Sequence, residues 1–425
     1  MVNYGKYIKI NRYLQKKSIS ELCDGICTPS TLSKIENNKS NINPKIINQI
    51  LERLSNINID ILEANTNRLK PLTELFIQRL MLNLDRSDLM AKIEEEQYNY
   101  LHSEYILFLY ITKLFSNFDL YHINNKDIDE ETLDLISEVI EFRDFNELYF
   151  YNLLKIIRYK NTNNRLRDFK KIIDGDRYGW LNYFYCDSLF HNGHINESYM
   201  GTKKCYELAC ENCNINLMYG CLLLLGLCSL ELSNSNESVK YFKKLENLAP
   251  FMKYDINFVI NYNLGATMLE KKNIEKAKYY LEALEANKYA FSISSFFVVH
   301  KLGYLYTELK EYEKANYYIN WINEFVSKQD SKISNLLKKI SDSLTIKLKD
   351  PNYLCNKKYQ EDIEFIFQNS QSIFSYGFQK FYLADLEEVY LIQRRYKELY
   401  YIYKDTFNKL GYKAKINTHT TSYIN

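Results

Sequence analysis

The chain has 425 residues, enough for two or three domains or for one small domain joined to an extended array. Only 12 Gly and 5 Pro interrupt a composition rich in Leu, Ile, Lys and Glu, which favours an all-helical chain. The net charge of +2 is uneven: residues 1–70 carry 11 Lys/Arg against 6 Asp/Glu, a head of +5 on a body of −3, so nucleic-acid contact is confined to the N-terminus.

Met1–Lys17 is polar and dotted with charge, unlike a signal peptide. The longest uncharged stretch, Asn212–Leu230, holds three Asn and reads as a buried helix rather than a membrane span. Nine scattered Cys point to reduced thiols and a cytoplasmic protein. Abundant Tyr, Asn, Ile and Lys also match the codon bias of an AT-rich genome.

The pattern predicts a first helix over about Asn3–Gln15. Ser18 followed three residues later by Glu21 is a capping box that opens a second helix, with Leu22 and Ile26 inward and Gly25 at its end. Thr28-Pro29 opens a third, because Thr caps well and proline's missing N–H costs nothing at the first helical position. Leu32 and Ile35 then face the core, and Ser30, Thr31 and Lys34 share the opposite face. Asn43-Pro44 starts a fourth helix with Ile46, Ile47, Ile50, Leu51 and Leu54 as its stripe, and a short fifth follows Asn58.

Five short helices with a tight turn between the second and third form a helix-turn-helix arrangement, over about residues 1–64. The third helix would enter the major groove, with Ser30, Thr31 and Lys34 at base edges beside the cap Thr28. Arg12, Lys39 and Lys45 are the expected phosphate contacts. The run Ser18–Lys39, above all Ser30-Thr-Leu-Ser-Lys-Ile-Glu-Asn37, closely resembles the Cro/C1-type (XRE) helix-turn-helix family. Pro29 departs from that family, which often has a polar or basic residue there. The resemblance also implies that Glu36 makes a structural ion pair back to the first helix, with Arg12 as partner.

Residues 65–96 read as a linker and connecting helix, and 97–425 as helical repeats, clearest over 180–325. Four polar turns precede the small residues Ser198, Ser238, Ala277 and Ala315, which are 40, 39 and 38 apart. Leu225-Gly226, Leu264-Gly265 and Leu302-Gly303 each stand with the Gly 12 residues before such a small residue. Phe242, Leu281 and Ile319 are expected to fill the grooves, and Pro250 to end a helix. Weaker helix pairs are expected near 97–140, 144–174, 333–371 and 379–410.

This pattern resembles the tetratricopeptide repeat, at a longer period. The resemblance implies a right-handed α-solenoid of helical hairpins with a concave face. In that family the residue two before the Gly points inward: here Leu224, Asn263 and Lys301. Asn263 would hold a ligand backbone amide and Lys301 a ligand carboxylate. They match two positions of the family's carboxylate clamp, but Leu223, Leu227 and Phe297 are apolar, so an apolar peptide fits better. Tyr262, His300, Tyr304 and Asn261 are neighbouring candidates.

No nucleophile–base signature, phosphate loop or paired-His metal motif occurs, so no catalysis, cofactor or metal is expected. Cys210-Glu-Asn-Cys213 lacks a second ligand pair. Taken together, the two halves resemble the peptide-pheromone receptors of Gram-positive bacteria, the Rgg/Rap/NprR/PlcR/PrgX (RNPP) family. That resemblance implies a homodimer binding double-stranded DNA at an inverted-repeat operator and a short imported signalling peptide, in quorum-linked control of sporulation or virulence genes. Rival readings are an adaptor that binds a phosphorelay protein through the repeats, a phage or mobile-element lysogeny regulator, and a constitutive DNA-binding protein.

Overall fold

The computed structural model describes residues 2–37, 39, 43–115, 137, 145–159, 166–173, 176–252, 255–285, 292–329, 331–374 and 376–409. Among these residues the regular structure is helical and no strand occurs. No helix among them is long and apolar enough to cross a membrane. The chain divides into two compact units, Met1–Phe184 and Tyr185–Asn425. Parts of the helix pairs expected near 97–140 and 144–174 fall outside the described residues.

The first unit opens with α1 (Tyr4–Leu14), α2 (Ile19–Cys23), α3 (Pro29–Glu36) and α4 (Pro44–Ser55). Each start is set by the expected cap. The Ser18 and Glu21 side chains close a capping box, the Thr28 hydroxyl accepts from Thr31 N, and Asn43 accepts from Lys45 N. Gly25, at φ +69°, supplies the left-handed residue that turns the chain from α2 to α3. Tyr7, Leu22, Leu32, Ile35, Ile50 and Leu51 form the buried centre of this head.

The expected short fifth helix is instead α5 (Ile59–Met81), 23 residues long and running straight through the segment read as a linker. Pro71 lies exposed inside α5, as does Asn67, whose carbonyl loses its helical donor. Inward, Leu62, Thr66, Leu69, Thr73, Phe76, Ile77 and Leu80 make an unbroken stripe. That stripe packs on α7 (Gln97–Leu101), which follows α6 (Ser87–Glu95).

Polar bonds fasten the same contact. Thr66 Oγ1 accepts from Glu104 N at 3.1 Å, the Thr73 and Tyr100 hydroxyls pair at 3.1 Å, and Asn65 donates to His102 O at 3.1 Å. The head joins in, with Asn3 N donating to Glu104 Oε2 at 2.9 Å. At the other end of α5, Trp180 Nε1 donates to Met81 O at 2.6 Å, taking one of the carbonyls a helix end leaves open. The unit also contains α8 (Ile106–Phe115), α9 (Phe145–Tyr159) and α10 (Leu166–Ile172).

Beyond α11 (Trp180–His191) and α12 (Ile195–Glu211), the second unit is a run of hairpins. These are α13 (Ile215–Glu231) with α14 (Ser235–Leu248), α15 (Asn257–Glu270) with α16 (Ile274–Glu282), and α17 (Ile293–Glu308) with α18 (Tyr312–Val326). Then come α19 (Ser331–Lys349) with α20 (Lys357–Ile373), the short α21 (Tyr376–Phe381), and α22 (Leu383–Ile392) with α23 (Tyr396–Lys409). Pro250 sits in a 3-10 turn directly after α14.

Five of the tight turns use one device. Gly193, Ser233, Lys272, Lys310 and Arg394 are all left-handed. In each case the next residue's N–H bonds back five residues, as Asn234 N does to Ser229 O at 2.8 Å and Asn273 N to Met268 O at 2.9 Å. Asn234 and Asn273 then cap the following helix through their side chains.

The Leu-Gly glycines allow close approach at two hairpins. A Cβ on Gly226 would lie 2.5 Å from the Phe242 ring, and one on Gly265 would lie 2.7 Å from Leu281. The third differs from expectation: Gly303 faces Tyr318 at an ordinary 3.5 Å and Ile322, not Ile319. Phe242 is fully buried and cannot swing aside. Gly226→Ala is therefore expected to lower the thermal unfolding midpoint, with an overpacking cost of about 1–3 kcal/mol. Gly303→Ala should be neutral or stabilising by up to about 1 kcal/mol, from helix propensity. Equal midpoints for the two variants would refute the close-approach role of Gly226.

Candidate nucleic-acid interface and ligand face

On the head, α3 presents an exposed edge. Thr28, Ser30 and Lys34 are exposed and Thr31 is half-buried. Thr31 N donates to Thr28 Oγ1 at 3.2 Å and the two hydroxyls pair at 2.9 Å, so the cap fixes both side chains before any ligand arrives. Lys34 extends one helical turn beyond Ser30. Lys39 and Lys45 are exposed on either side of the start of α4. Together they form a basic, hydroxyl-bearing surface able to meet phosphates and base edges.

Arg12 is not part of that surface. Its Nε and Nη2 grip Glu36 Oε1 and Oε2 at 2.6 and 2.9 Å, and Nη1 donates to Lys17 O at 3.1 Å. Both side chains are buried. The Glu36 hydrogen bonds raise the guanidinium pKa above its usual value. With three donors committed inside the head, Arg12 has no role as a phosphate contact. It is instead the expected partner of Glu36, bridging α1 to α3.

In the second unit the expected ligand residues lie on α15 and α17, but they do not form an open groove. Asn263, His300 and Lys301 are buried, and Asn261, Tyr262 and Tyr304 are half-buried. Asn263 Nδ2 donates to Val259 O in its own helix at 2.8 Å, which occupies a donor meant for ligand. Tyr262 stacks between Phe258 and Phe297. His300, Lys301 and Tyr304 are covered by the chain itself. His300 Nε2 bonds Tyr382 Oη at 2.6 Å, and Phe378 and Phe381 pack on the His300 ring at 5.0 and 5.5 Å. Tyr304 meets Phe381 at 4.8 Å. The Lys301 ammonium stands 2.9 Å from the Phe381 ring centroid.

Burial depresses the pKa of both His300 and Lys301 well below the ordinary values. Lys301 is buried beneath the Phe381 ring rather than open to a ligand carboxylate as the clamp resemblance implied. The polar groups on this face that sequence reading missed are carboxylates. Glu231, Glu270 and Glu308 each end the first helix of a hairpin, five residues after Gly226, Gly265 and Gly303. The signal was present as Leu-Gly-x-x-x-x-Glu, repeated three times.

Lysines from later in the chain take these carboxylates. Lys380 Nζ lies 3.8 Å from Glu231 and 3.6 Å from Glu270, and it donates to Leu230 O and Glu231 O at 2.9 and 3.0 Å. Lys347 Nζ lies 2.6 Å from both Glu308 and Asp385, and Asp385 also accepts from Tyr359 Oη at 3.1 Å.

A helix-turn-helix family model matches residues 8–62, so the head is a helix-turn-helix domain. Among solved structures, a similar chain is Bacillus thuringiensis PlcR, determined in complex with the peptide PapR7 and DNA. The match has 18% identity and a TM-score of 0.35, and covers 59% of this chain and 95% of that one. No curated protein matches the chain.

Removing one partner of a buried ion pair strands the other charge. Arg12→Ala should therefore destabilise the head by about 3–5 kcal/mol, read as early loss of amide-exchange protection in residues 4–55. A normally protected head that merely binds DNA with a shallower salt dependence would instead return Arg12 to the phosphate contacts.

Proposed function

We propose that this protein is a DNA-binding transcriptional regulator whose repeat unit receives a short signalling peptide. The observation that carries the DNA half is the exposed α3 edge, Ser30 and Lys34 with Thr28 and Thr31, on a domain matched by a helix-turn-helix family. The edge lies on a head whose charge is opposite to that of the body. Inserted in a major groove, the N-terminal turn of α3 brings short hydroxyls to base edges while Lys34 reaches a guanine or a phosphate. Lys39 and Lys45 set register on the backbone.

Pairing of two chains would present two recognition helices to half-sites one helical turn apart, so the operator is an inverted repeat. The peptide half rests on the repeat architecture and its aromatic-lined inner face. A peptide alters DNA affinity only by favouring one conformation over another, a coupling of about 1–3 kcal/mol in typical systems. Quorum-linked control of sporulation or virulence genes is the biological setting that fits this combination.

The test begins with duplexes selected from a random pool by the full-length protein. Lys34→Ala combined with Thr31→Ala should lose about tenfold or more in affinity for the selected site, at about 1–3 kcal/mol per good base contact. Its non-specific binding should stay close to wild type. Lys39→Ala should weaken all duplexes alike and reduce the salt slope by about one. Unchanged specific affinity in the α3 double variant would remove that helix from the interface.

A further inference from the structure

Two of the recurring glutamates, Glu231 and Glu270, meet the same downstream lysine, Lys380. Glu231 and Glu270 occupy the same position in successive hairpins. The Glu231 side chain is 7% exposed, its Oε2 has no hydrogen-bond partner, and burial pushes its pKa up to about 7. Elsewhere in the same unit Ser229 Oγ, on α13, and His300 Nδ1, on α17, are likewise buried without a hydrogen-bond partner. The end of α13 adds the carbonyls of Leu230 and Glu231, the negative pole of the helix, and both accept from Lys380.

Into this cluster comes Lys380, reaching back about 150 residues along the chain. Its neighbours Phe378, Phe381 and Tyr382 cover His300, Lys301 and Tyr304. The covering helix α21 is only 6 residues long, too short to be stable without packing. It is therefore held by the same contacts a bound peptide would make: one ammonium on two carboxylates and a helix end, and three rings on an aromatic wall. With Lys380 withdrawn, two carboxylates would face only Lys301, whose charge burial already disfavours.

We propose that the Glu231–Glu270 cleft is a cation subsite for a lysine or arginine flanked by aromatic residues in a peptide ligand, and that Phe378–Tyr382 fills it as a resident substitute. This deepens the peptide-receptor reading and rests on it. It also reverses the ligand polarity that the clamp resemblance implied: the subsite selects a cationic side chain, not a carboxylate. Incoming peptide exchanges with α21 rather than entering an empty groove.

Two experiments on the full-length protein separate this subsite from the broader reading. A random heptapeptide phage library is panned against wild type. Binders enriched in Lys or Arg next to aromatics, and weakened at least tenfold by Glu270→Gln, support the subsite. Enriched binders without a cation, or with unchanged affinity for Glu270→Gln, overturn the subsite and leave the peptide reading standing. No enriched binder overturns both. Glu270 is partly exposed, so this variant keeps its fold. Separately, a fluorescein-labelled peptide copying residues 377–383 is titrated into wild type and Lys380→Ala. At least tenfold tighter binding to Lys380→Ala, lost when the peptide's own lysine is replaced by alanine, is the expected result. Equal binding to the two proteins, or none to either, would overturn the substitution.

Discussion

The head of this protein is set by one helix that does not stop where its sequence suggests. Leu62 of α5 is buried with the core of the first four helices, and Met81, at the other end of α5, gives its carbonyl to the indole of Trp180. Between them, Thr66 and Thr73 are pinned to Glu104 and Tyr100. The helix-turn-helix is therefore not tethered by a loose linker. Its third helix, α3, is braced to α1 by Arg12 and Glu36, α1 is tied to Glu104 through Asn3, and α5 carries the whole into the rest of the first unit. Reorienting α3 requires α5 to move as a rod.

In the second unit a constant register does comparable work. Gly226, Gly265 and Gly303 each stand five residues before a glutamate and seven before the left-handed residue that closes the turn. Because the turn geometry repeats, the glutamates repeat with it, and a rule of chain folding becomes a row of carboxylates. Balancing that row falls to Lys347 and Lys380. Both lie well beyond the hairpins they neutralise, so closing the face depends on chain far downstream.

The parts legible in the sequence were those decided locally. Ser18 with Glu21, Thr28 with Pro29 and Asn43 with Pro44 fix helix starts through neighbours two or three residues away, and all three were readable. So were the hairpin spacing and the partner of Glu36. The full length of α5 was not legible, because whether a helix tolerates an internal proline such as Pro71 depends on where the orphaned carbonyl faces in the packed helix. His300 and Lys301 misled for a larger reason. Register in the repeat marked Lys301 as inward-pointing, with His300 as its neighbour, but what covers both begins more than seventy residues later. No local pattern at 300–301 records that cover. The Leu-Gly-x-x-x-x-Glu repeat was readable and would have shifted attention from the lysine to the acids.

The central claim is that one chain binds DNA through α3 and a peptide through its repeats, and that the two events are coupled. Binding free energies obey reciprocity, so the claim has a direct measurement. The affinity of full-length protein for its selected duplex is determined with and without saturating peptide, and the affinity for the same peptide with and without saturating duplex. Coupling requires that the two ratios agree, at roughly 5–150-fold in either direction. Affinities unchanged by the other ligand in both arms would mean that the head and the repeats act independently, and would contradict the claim.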